Sequence, residues 1–253
     1  MTSNAEEDVV LASNPLDGVP PLTTKVLTTE DDKIAGLKLV ADSIAQQRQF
    51  ASRAVISHPL TMAAYIVLLA VVSNFLYKTR SDSGLVATTA AGVTMACLIG
   101  VRGITSGYLT LAEEFNWEFA TNEDGEEDTI IGSRYGEELI GAVILRLERN
   151  GNGSPKKKPK SGRLGGRGVV RAWTVRIKYR GTGVGTELLE EAVRVTREKL
   201  GNSAEIGFAA EHANSKMILP EMFNGAFRKR EAKAAKALER VIESMDGLKS
   251  KKR

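Results

Sequence analysis

Hydrophobic and polar positions along this chain predict an α/β fold interrupted by two long apolar runs. Alternating apolar residues make TKVLTT, VVRAWTVRI and AEIGFAA strand candidates, and DTIIGSRYGEELIGAVILRLER predicts two strands around a RYGEE turn. A one-faced apolar pattern with acids in its first turn predicts a helix that begins at Thr29, its N-cap. TELLEEAVRVTREKLG predicts a second helix that ends at Gly201, and the chain from about Asn214 onward is mostly helical in character.

The two apolar runs, Pro59 to Tyr77 and Ser83 to Val101, contain no charged residue, and each has 19 residues. At ~1.5 Å per residue each helix would be about 28 Å long, close to the roughly 30 Å hydrocarbon core of a bilayer. A pair of buried core helices is the alternative, but the first run is apolar around its whole circumference. The second run carries small residues that let helix backbones approach closely: Ala87, Ala91, Gly92 and Ala96. We therefore expect an antiparallel transmembrane hairpin.

Without the hairpin, the element order predicts one α/β domain with a mixed central sheet flanked by helices. We divide the chain into a disordered segment over 1–22, a first part of the domain over 23–58, the hairpin over 59–101, the main part over 102–227 and a charged helix and tail over 228–253. The main part contains a flexible basic loop over 150–168, whose Gly, Asn, Ser, Pro and Lys content is typical of linkers.

Composition and charge narrow the possible functions. The net charge is +4, and the basic run PKKKPKSGR is typical of a solvated loop, with nuclear import or anionic lipid contact as alternatives. We do not expect nucleic acid as a partner. One cysteine, Cys97, excludes an internal disulfide, and two distant histidines give no metal site. The opening MTSNAEEDVV lacks the apolar core of a signal peptide.

The candidate chemistry lies in the turn between VVRAWTVRI and the second helix, which contains Gly181, Gly183 and Gly185. A strand that turns into a helix N-terminus presents free amide N–H groups and a positive dipole end to an anion, and glycine lets a phosphate approach the backbone. The third glycine comes one position too early for a dinucleotide fingerprint, and the lysine of a Walker loop is missing. A purely structural turn is the remaining alternative.

The segment WTVRIKYRGTGVGTELLEEAV resembles the acetyl-CoA motif of the GCN5-related N-acetyltransferases (GNAT), a pattern of Arg/Gln-x-x-Gly-x-Gly/Ala. Arg180, Gly183 and Gly185 occupy its three fixed positions. An inserted membrane hairpin is similar to the membrane-anchored branch of this superfamily. The resemblance implies an acetyltransferase with a GNAT-like fold, acetyl-CoA as co-substrate and an amine as acceptor.

The same resemblance implies roles for particular residues. The amides of Gly181, Thr182, Gly183, Val184, Gly185 and Thr186 would hold the pyrophosphate beside Arg180, and the backbone of Val175 and Ile177 would pair with the pantetheine arm. An amide near Val175 could polarise the thioester carbonyl. Asn214 would take the family's position at the start of the last helix.

A general base must take the proton of the acceptor amine. The candidates by position are Glu137 and Glu138 at the strand turn, and Glu211 and His212 after the last predicted strand. We single out His212 and Glu138. His212 has an unperturbed pKa near neutrality, although it could equally be an ordinary loop histidine.

The chain departs from the family pattern at its end. No tyrosine follows Tyr179, although the family often uses one to protonate the leaving thiolate, and no closing strands are predicted. Three hypotheses follow: a membrane-anchored acetyltransferase, a non-catalytic GNAT-like interaction protein that still binds CoA, and a hairpin protein in which the glycine turn is incidental. For the first we expect an endomembrane location such as the endoplasmic reticulum, a domain facing the cytosol, and the lipid bilayer as a partner.

Overall fold

The computed structural model describes residues 20–79, 82–121, 125–149 and 165–250, and the backbone alone for the last three of these. Its helices are α1 (Glu30–Ile56), α2 (Pro59–Leu76), α3 (Ser83–Ile104), α4 (Gly107–Glu113), α5 (Val184–Leu200) and α6 (Gly225–Ser250). Its strands are β1 (Leu22–Val26), β2 (Thr129–Tyr135), β3 (Glu138–Arg149), β4 (Gly166–Val175) and β5 (Glu205–Phe208). Short 3-10 turns lie at Trp117–Ala120, Ile177–Tyr179 and Glu221–Phe223.

The strands form one five-stranded mixed sheet in the order β1-β2-β3-β4-β5. The first four strands are antiparallel to their neighbours, and β5 runs parallel to β4. Helix α1 packs on one face through Leu37, Val40 and Ile44, and α5 packs on the other through Leu188 and Ala192. This confirms the prediction of a mixed α/β sheet flanked by helices.

The predicted helix ends are confirmed in atomic detail. The Thr29 hydroxyl accepts a hydrogen bond from the Asp32 N–H at 3.3 Å, as an N-cap does. Gly201 ends α5 with a φ of +98°, and its N–H donates to the Arg197 carbonyl. Local capping interactions therefore define where α1 begins and where α5 ends.

Two predicted strand boundaries are wrong at the ends of β4. The strand already includes 166–168, which the predicted loop 150–168 contained, and it stops at Val175, so Ile177 lies in the following 3-10 turn. A Cβ on Gly168 would lie 2.4 Å from the Thr196 hydroxyl of α5. Glycine is present here because strand and helix approach closely, not because the chain is a loop. Residues 150–164 of the predicted loop and 1–19 of the predicted disordered segment 1–22 lie outside the described residues. The disordered segment was predicted too long, because Leu22 begins β1 and pairs with Tyr135 of β2.

The last helix was predicted too early. The chain from Asn214 to Asn224 forms turns, and α6 begins at Gly225, where the N–H groups of Phe227 and Arg228 donate to the Asn224 carbonyl. The assignment of Asn214 to a helix start is therefore wrong, and Asn224 lies there instead. Pro220 and the turn around it separate the two asparagines, because proline does not continue a helix.

Both apolar runs are helices, α2 and α3. The stretches Pro59–Leu76 and Ser83–Glu113 are long and apolar enough to cross a membrane, and none of their most apolar windows is buried in the protein. The helices contact each other, with the Tyr65 and Thr94 hydroxyls 2.8 Å apart.

The small residues of α3 do not form that contact. Ala87, Ala91, Gly92 and Ala96 are all exposed, and a Cβ on Gly92 would meet nothing within 4 Å. That these residues let other helices approach α3 closely in lipid stays a prediction.

Candidate active site

The glycine turn joins β4 to α5. Gly181 and Gly183 have φ values of +86° and +98°, a region that glycine enters readily and other residues avoid. A Cβ at either position would meet nothing within 4 Å, so the space beside the turn is open. Gly183 is the N-cap of α5, and no side chain caps its free N–H groups. The turn thus offers bare backbone and a helix N-terminus to an incoming anion.

Not every amide of the turn is free. The Thr186 N–H donates to the Gly183 carbonyl at 2.8 Å, and the Thr182 hydroxyl donates to the Tyr179 carbonyl. The Thr186 amide, expected to hold pyrophosphate, is therefore already engaged within the first turn of α5.

Gly185 has a different reason to be glycine. A Cβ there would lie 3.0 Å from the Trp173 ring, and the Trp173 indole N–H donates to the Gly185 carbonyl at 3.1 Å. This contact fixes the start of α5 against β4. The third glycine of the motif therefore serves packing, and the first two leave the open space.

Arg180 reaches back over the end of β4. Its Nε donates to the Val175 carbonyl at 2.8 Å, and a terminal nitrogen donates to the Gln46 side chain of α1 at 3.2 Å. A guanidinium has five N–H donors, so further donors are available to a ligand. Partial burial lowers the pKa of Arg180 below its usual value, but arginine stays charged at neutral pH.

Strand β4 extends beyond the end of β5 near this turn. Their pairing runs from Arg167 opposite Glu205 to Val170 opposite Phe208, and β4 continues to Val175 without β5 beside it. A cavity of about 640 Å³ opens along this gap, and it is bounded by α1, β4, the glycine turn and α6. Val175, Ile177, Arg180, Gly181, Gly185, His212 and Asn214 all lie in its wall. The structure thus brings seven of the predicted site residues together at one cavity, whereas Thr182, Gly183, Val184 and Thr186 do not line it.

Helix α6 supplies a wall that the sequence did not indicate. Arg230 and Lys233 line the cavity from α6, and Arg53 lines it from α1. The Arg230 guanidinium lies over the Phe50 ring, 3.4 Å from its centre. Burial, and after it the nearby charge of Arg180, lowers the pKa of Arg230. Together with Arg180, these cations make the cavity suited to a ligand with several negative charges.

His212 lies just after β5 and is held in place by its neighbours. Its Nδ1 accepts a hydrogen bond from the Asn214 N–H at 3.3 Å, and the Asn214 side chain accepts one from Gln47 at 2.7 Å. Its Nε2 lies 3.8 Å from a carboxylate oxygen of Glu231 on α6. Burial lowers the pKa of His212, and the charge of Glu231 partly opposes this.

The other candidate bases lie elsewhere. Glu138 forms an ion pair with Arg176 and accepts a hydrogen bond from the Tyr179 hydroxyl at 3.1 Å, and it does not line the cavity. Glu137 and Glu211 are exposed and do not line it either. Arg230 and Glu231 could not be predicted as site residues, because the Lys-, Arg-, Glu- and Ala-rich sequence of α6 is typical of a helix with its side chains in solvent. Both residues lie far from the glycine turn along the chain, so the sequence gives no sign that they line the same cavity.

A metal centre has no support within the described ranges. They contain no group of three His, Cys, Asp or Glu residues placed to hold a metal ion.

Comparison with known proteins connects this geometry to a family. Residues 103–218 match the model of the acetyltransferase (GNAT) family. The match includes β2 to β5, the glycine turn, His212 and Asn214, and it ends before α6 begins. No curated protein sequence matches the chain.

Several solved structures share low similarity with the chain. A transcriptional regulator from Bacillus halodurans C-125 is 11% identical, with 84% of this chain and 91% of that chain covered and a TM-score of 0.31. An aminoglycoside acetyltransferase from an uncultured soil metagenomic sample is 12% identical, with 76% and 80% covered and a TM-score of 0.28. An integron cassette protein from the mobile metagenome of V. cholerae is 14% identical, with 83% of each chain covered and a TM-score of 0.32.

Proposed function

We propose that the protein is a membrane-anchored N-acetyltransferase that transfers an acetyl group from acetyl-CoA to an amine. The observation that carries the proposal is the glycine turn. Two left-handed glycines with open space beside them start a helix at the edge of a cavity with basic walls. The family match covers this same segment.

The residues present fit the coenzyme. The backbone N–H groups of 181–185 and the helix dipole of α5 would hold its diphosphate, as helix N-termini hold phosphates elsewhere. Arg180 and Arg230 would neutralise the phosphate charges, and charge-assisted hydrogen bonds of this kind are the stronger ones. The end of β4 beyond β5, from Trp173 to Val175, lies in the cavity wall, where the pantetheine arm would lie along it. The Val175 carbonyl already accepts a hydrogen bond from Arg180 and is not available to that arm. A volume of about 640 Å³ is within the usual range for ligand sites.

The acceptor amine must lose a proton before its nitrogen can attack the thioester carbonyl. His212 lines the cavity near the unpaired part of β4 and belongs to the proton-transfer machinery in this proposal. We assign Glu138 no role in this proton transfer, because its carboxylate is paired with Arg176 and does not line the cavity. Acetyl-CoA supplies the acetyl group and the thiolate leaving group.

We further propose that α2 and α3 anchor the protein in a membrane. Both helices expose large apolar side chains, among them Ile66, Val67, Val71 and Phe75 at 59–77% of their surface. Water contact with so many apolar groups is costly, and lipid removes this cost. The domain would face the cytosol, where acetyl-CoA is made, and an endomembrane such as the endoplasmic reticulum is the proposed location.

Alkaline carbonate extraction of cell membranes tests the anchor. We expect the full-length protein to stay in the membrane pellet. Release of the protein into the supernatant would contradict the membrane part of the proposal and leave the enzymatic part untouched.

A non-catalytic CoA-binding protein is the second candidate function, favoured by one observation. No tyrosine follows Tyr179, and Glu221, Met222 and Phe223 occupy the region about seven residues after Asn214, where the resemblance implies the tyrosine that protonates the thiolate. A protein that kept the coenzyme site and lost transfer would show this pattern.

Acetyl-CoA binding and turnover separate the candidates. The detergent-solubilised protein is titrated with acetyl-CoA in a calorimeter, and release of free thiol is then followed after addition of a primary amine. We expect saturable binding and amine-dependent thiol release. Binding without release would favour the non-catalytic protein, and the lack of any binding would overturn both.

A further inference from the structure

A second cavity, of about 330 Å³, adjoins the first between the end of β5 and α6. The two cavities share four wall residues: Phe208, His212, Glu231 and Ala234. The His212–Glu231 pair therefore lies on the partition between them. Any reaction between a ligand in one cavity and a ligand in the other would take place beside this pair.

The charges of the two cavities differ in sign. Four cations, Arg53, Arg180, Arg230 and Lys233, line the larger cavity, against one carboxylate, the shared Glu231. Among the described residues that line the smaller one, Glu231 is a carboxylate and none is Lys or Arg. An anion is thus attracted to the larger cavity and a cation to the smaller one. A protonated amine is such a cation.

Hydrogen bonding fixes which nitrogen of His212 carries its proton. The Nδ1 atom accepts from the Asn214 N–H, so its lone pair is used and the neutral ring is protonated at Nε2. That Nε2 faces Glu231 at 3.8 Å. Contacts of catalytic groups are often long before substrate binds. The neutral ring therefore has no lone pair left for an amine, whereas the Glu231 carboxylate has free acceptor positions.

From this arrangement, which rests on the function proposed above, we infer that the smaller cavity is the acceptor site, that Glu231 is the catalytic base, and that His212 is a positioning residue. The Nε2–H of His212 orients the carboxylate from the β5 side. Asn214, tied to α1 through Gln47, orients His212 in turn. This assignment gives His212 a different role from the direct base that its pKa alone would suggest.

The walls of the smaller cavity indicate the class of acceptor. The four residues that line it and not the larger cavity are all alanines: Ala209, Ala210, Ala232 and Ala235. Methyl groups offer contact to hydrocarbon and no hydrogen bonds to a polar substituent. The site thus suits a primary amine with an apolar tail, and Glu231 disfavours an acceptor that carries its own carboxylate.

The proposed step is balanced in atoms and charge. The Glu231 carboxylate takes one proton from the ammonium, and the freed nitrogen forms a C–N bond to the acetyl carbon as the C–S bond breaks. The departing thiolate takes up the second of the three ammonium protons, and the nitrogen keeps the third in the amide. An ammonium and a thioester thus become an amide, a thiol and one proton released to solvent.

Substitution of Glu231 tests the base. Initial rates are measured with butylamine at saturating acetyl-CoA, for the wild type, Glu231→Gln and the control Glu239→Gln, an exposed glutamate farther along α6 that lines neither cavity. We expect kcat to fall at least about 100-fold in Glu231→Gln, since general base catalysis contributes roughly 10²–10⁴-fold. The control should be unchanged. An equal loss in both variants, or none in Glu231→Gln, would overturn the assignment.

Filling the smaller cavity tests the acceptor site. Ala235→Leu should raise KM for butylamine about tenfold or more and leave the dissociation constant of acetyl-CoA unchanged, whereas Ala226→Leu, an exposed alanine of α6 outside both cavities, should change neither. The wild type should prefer butylamine to β-alanine. An unchanged KM in Ala235→Leu, or preference for β-alanine, would place the acceptor elsewhere.

A readout without turnover separates a positioning role of His212 from a merely structural one. The protein has two histidines, so their ring signals can be followed by NMR during a pH titration. Because the charge of Glu231 raises the pKa of His212, Glu231→Gln should move its titration to lower pH. An unshifted titration would overturn the pairing. If acetyl-CoA binds and is turned over while these variants behave as wild type, this inference fails and the proposed function stands; if acetyl-CoA does not bind, the proposed function itself fails.

Discussion

The two sides of the larger cavity differ in how they are built. The side formed by β4, the glycine turn and α5 is continuous in sequence. Each glycine of the turn is required there, Gly181 and Gly183 by a left-handed φ and Gly185 by close contact with Trp173. The side formed by α6 lies some fifty residues away along the chain and consists of charged side chains on a helix that packs against α5 through Leu238 and Val241. The first side offers backbone to a ligand, and the second offers charge. The proposed coenzyme site would therefore combine a local sequence motif with side chains that only the tertiary fold brings to it.

The largest expected effect comes from the backbone side. Gly183→Trp places an indole in the open space beside the turn and forces a non-glycine residue to a φ of +98°. We expect acetyl-CoA affinity to fall at least about 100-fold, since the lost phosphate contacts are worth several kcal/mol. Calorimetric titration measures it.

A matched control exists for this variant. Gly125 also has a positive φ, of +79°, and a Cβ there would also meet nothing within 4 Å, but Gly125 lies before β2 and outside the turn that joins β4 to α5. Gly125→Trp should bind acetyl-CoA as the wild type does. Equal loss of affinity in both variants would show that backbone strain, not occupancy of the turn, causes the effect.

A smaller effect is expected from the charged side. Arg230→Met keeps the long side chain over Phe50 and removes the guanidinium charge. One charge-assisted hydrogen bond is worth about 1.5–3 kcal/mol, so we expect acetyl-CoA to bind at least about tenfold more weakly. Arg228→Met, which removes an arginine paired with Glu221 and outside the cavity, should have no effect. If the two variants match, α6 is not part of the coenzyme site.

The smallest effect concerns pH and stability. The pKa of His212 is lowered by burial, so the unfolded chain takes up a proton below about pH 6.5 that the folded protein resists. Proton uptake by the unfolded chain therefore lowers the free energy of unfolding as the pH falls below this value, whereas above it the neutral ring has no such effect. Between pH 7.5 and 5.5 the free energy of unfolding of the wild type should therefore fall more than that of His212→Gln, as measured by thermal unfolding. A larger acid loss in the variant would contradict the buried neutral state.

Structural features with a local cause could be predicted from the sequence. Thr29 caps α1, Gly201 ends α5, and the strands of the sheet follow from alternation of apolar residues. Prediction from the sequence was wrong where the cause is distant. Gly168 suggests a loop, but it is a strand residue that Thr196 of α5 contacts closely, and the start of α6 moved to Gly225.

The candidate site shows the same division. The glycines were identified from their position between a strand and a helix, Arg180 from its resemblance to the GNAT acetyl-CoA motif, and His212 from its position after a strand. Arg230 and Glu231 had no such signal, because a Lys-, Glu- and Ala-rich helix usually has those side chains in solvent. Only the packing of α6 beside β4 and β5 places three of its charged residues, Arg230, Glu231 and Lys233, in the cavity wall.

A structure of the protein with acetyl-CoA tests the central claim most directly. We predict that the diphosphate oxygens lie about 3 Å from backbone N–H groups of 181–185, with Arg180 and Arg230 beside them. A coenzyme bound elsewhere, with the glycine turn in contact with solvent alone, would contradict the account.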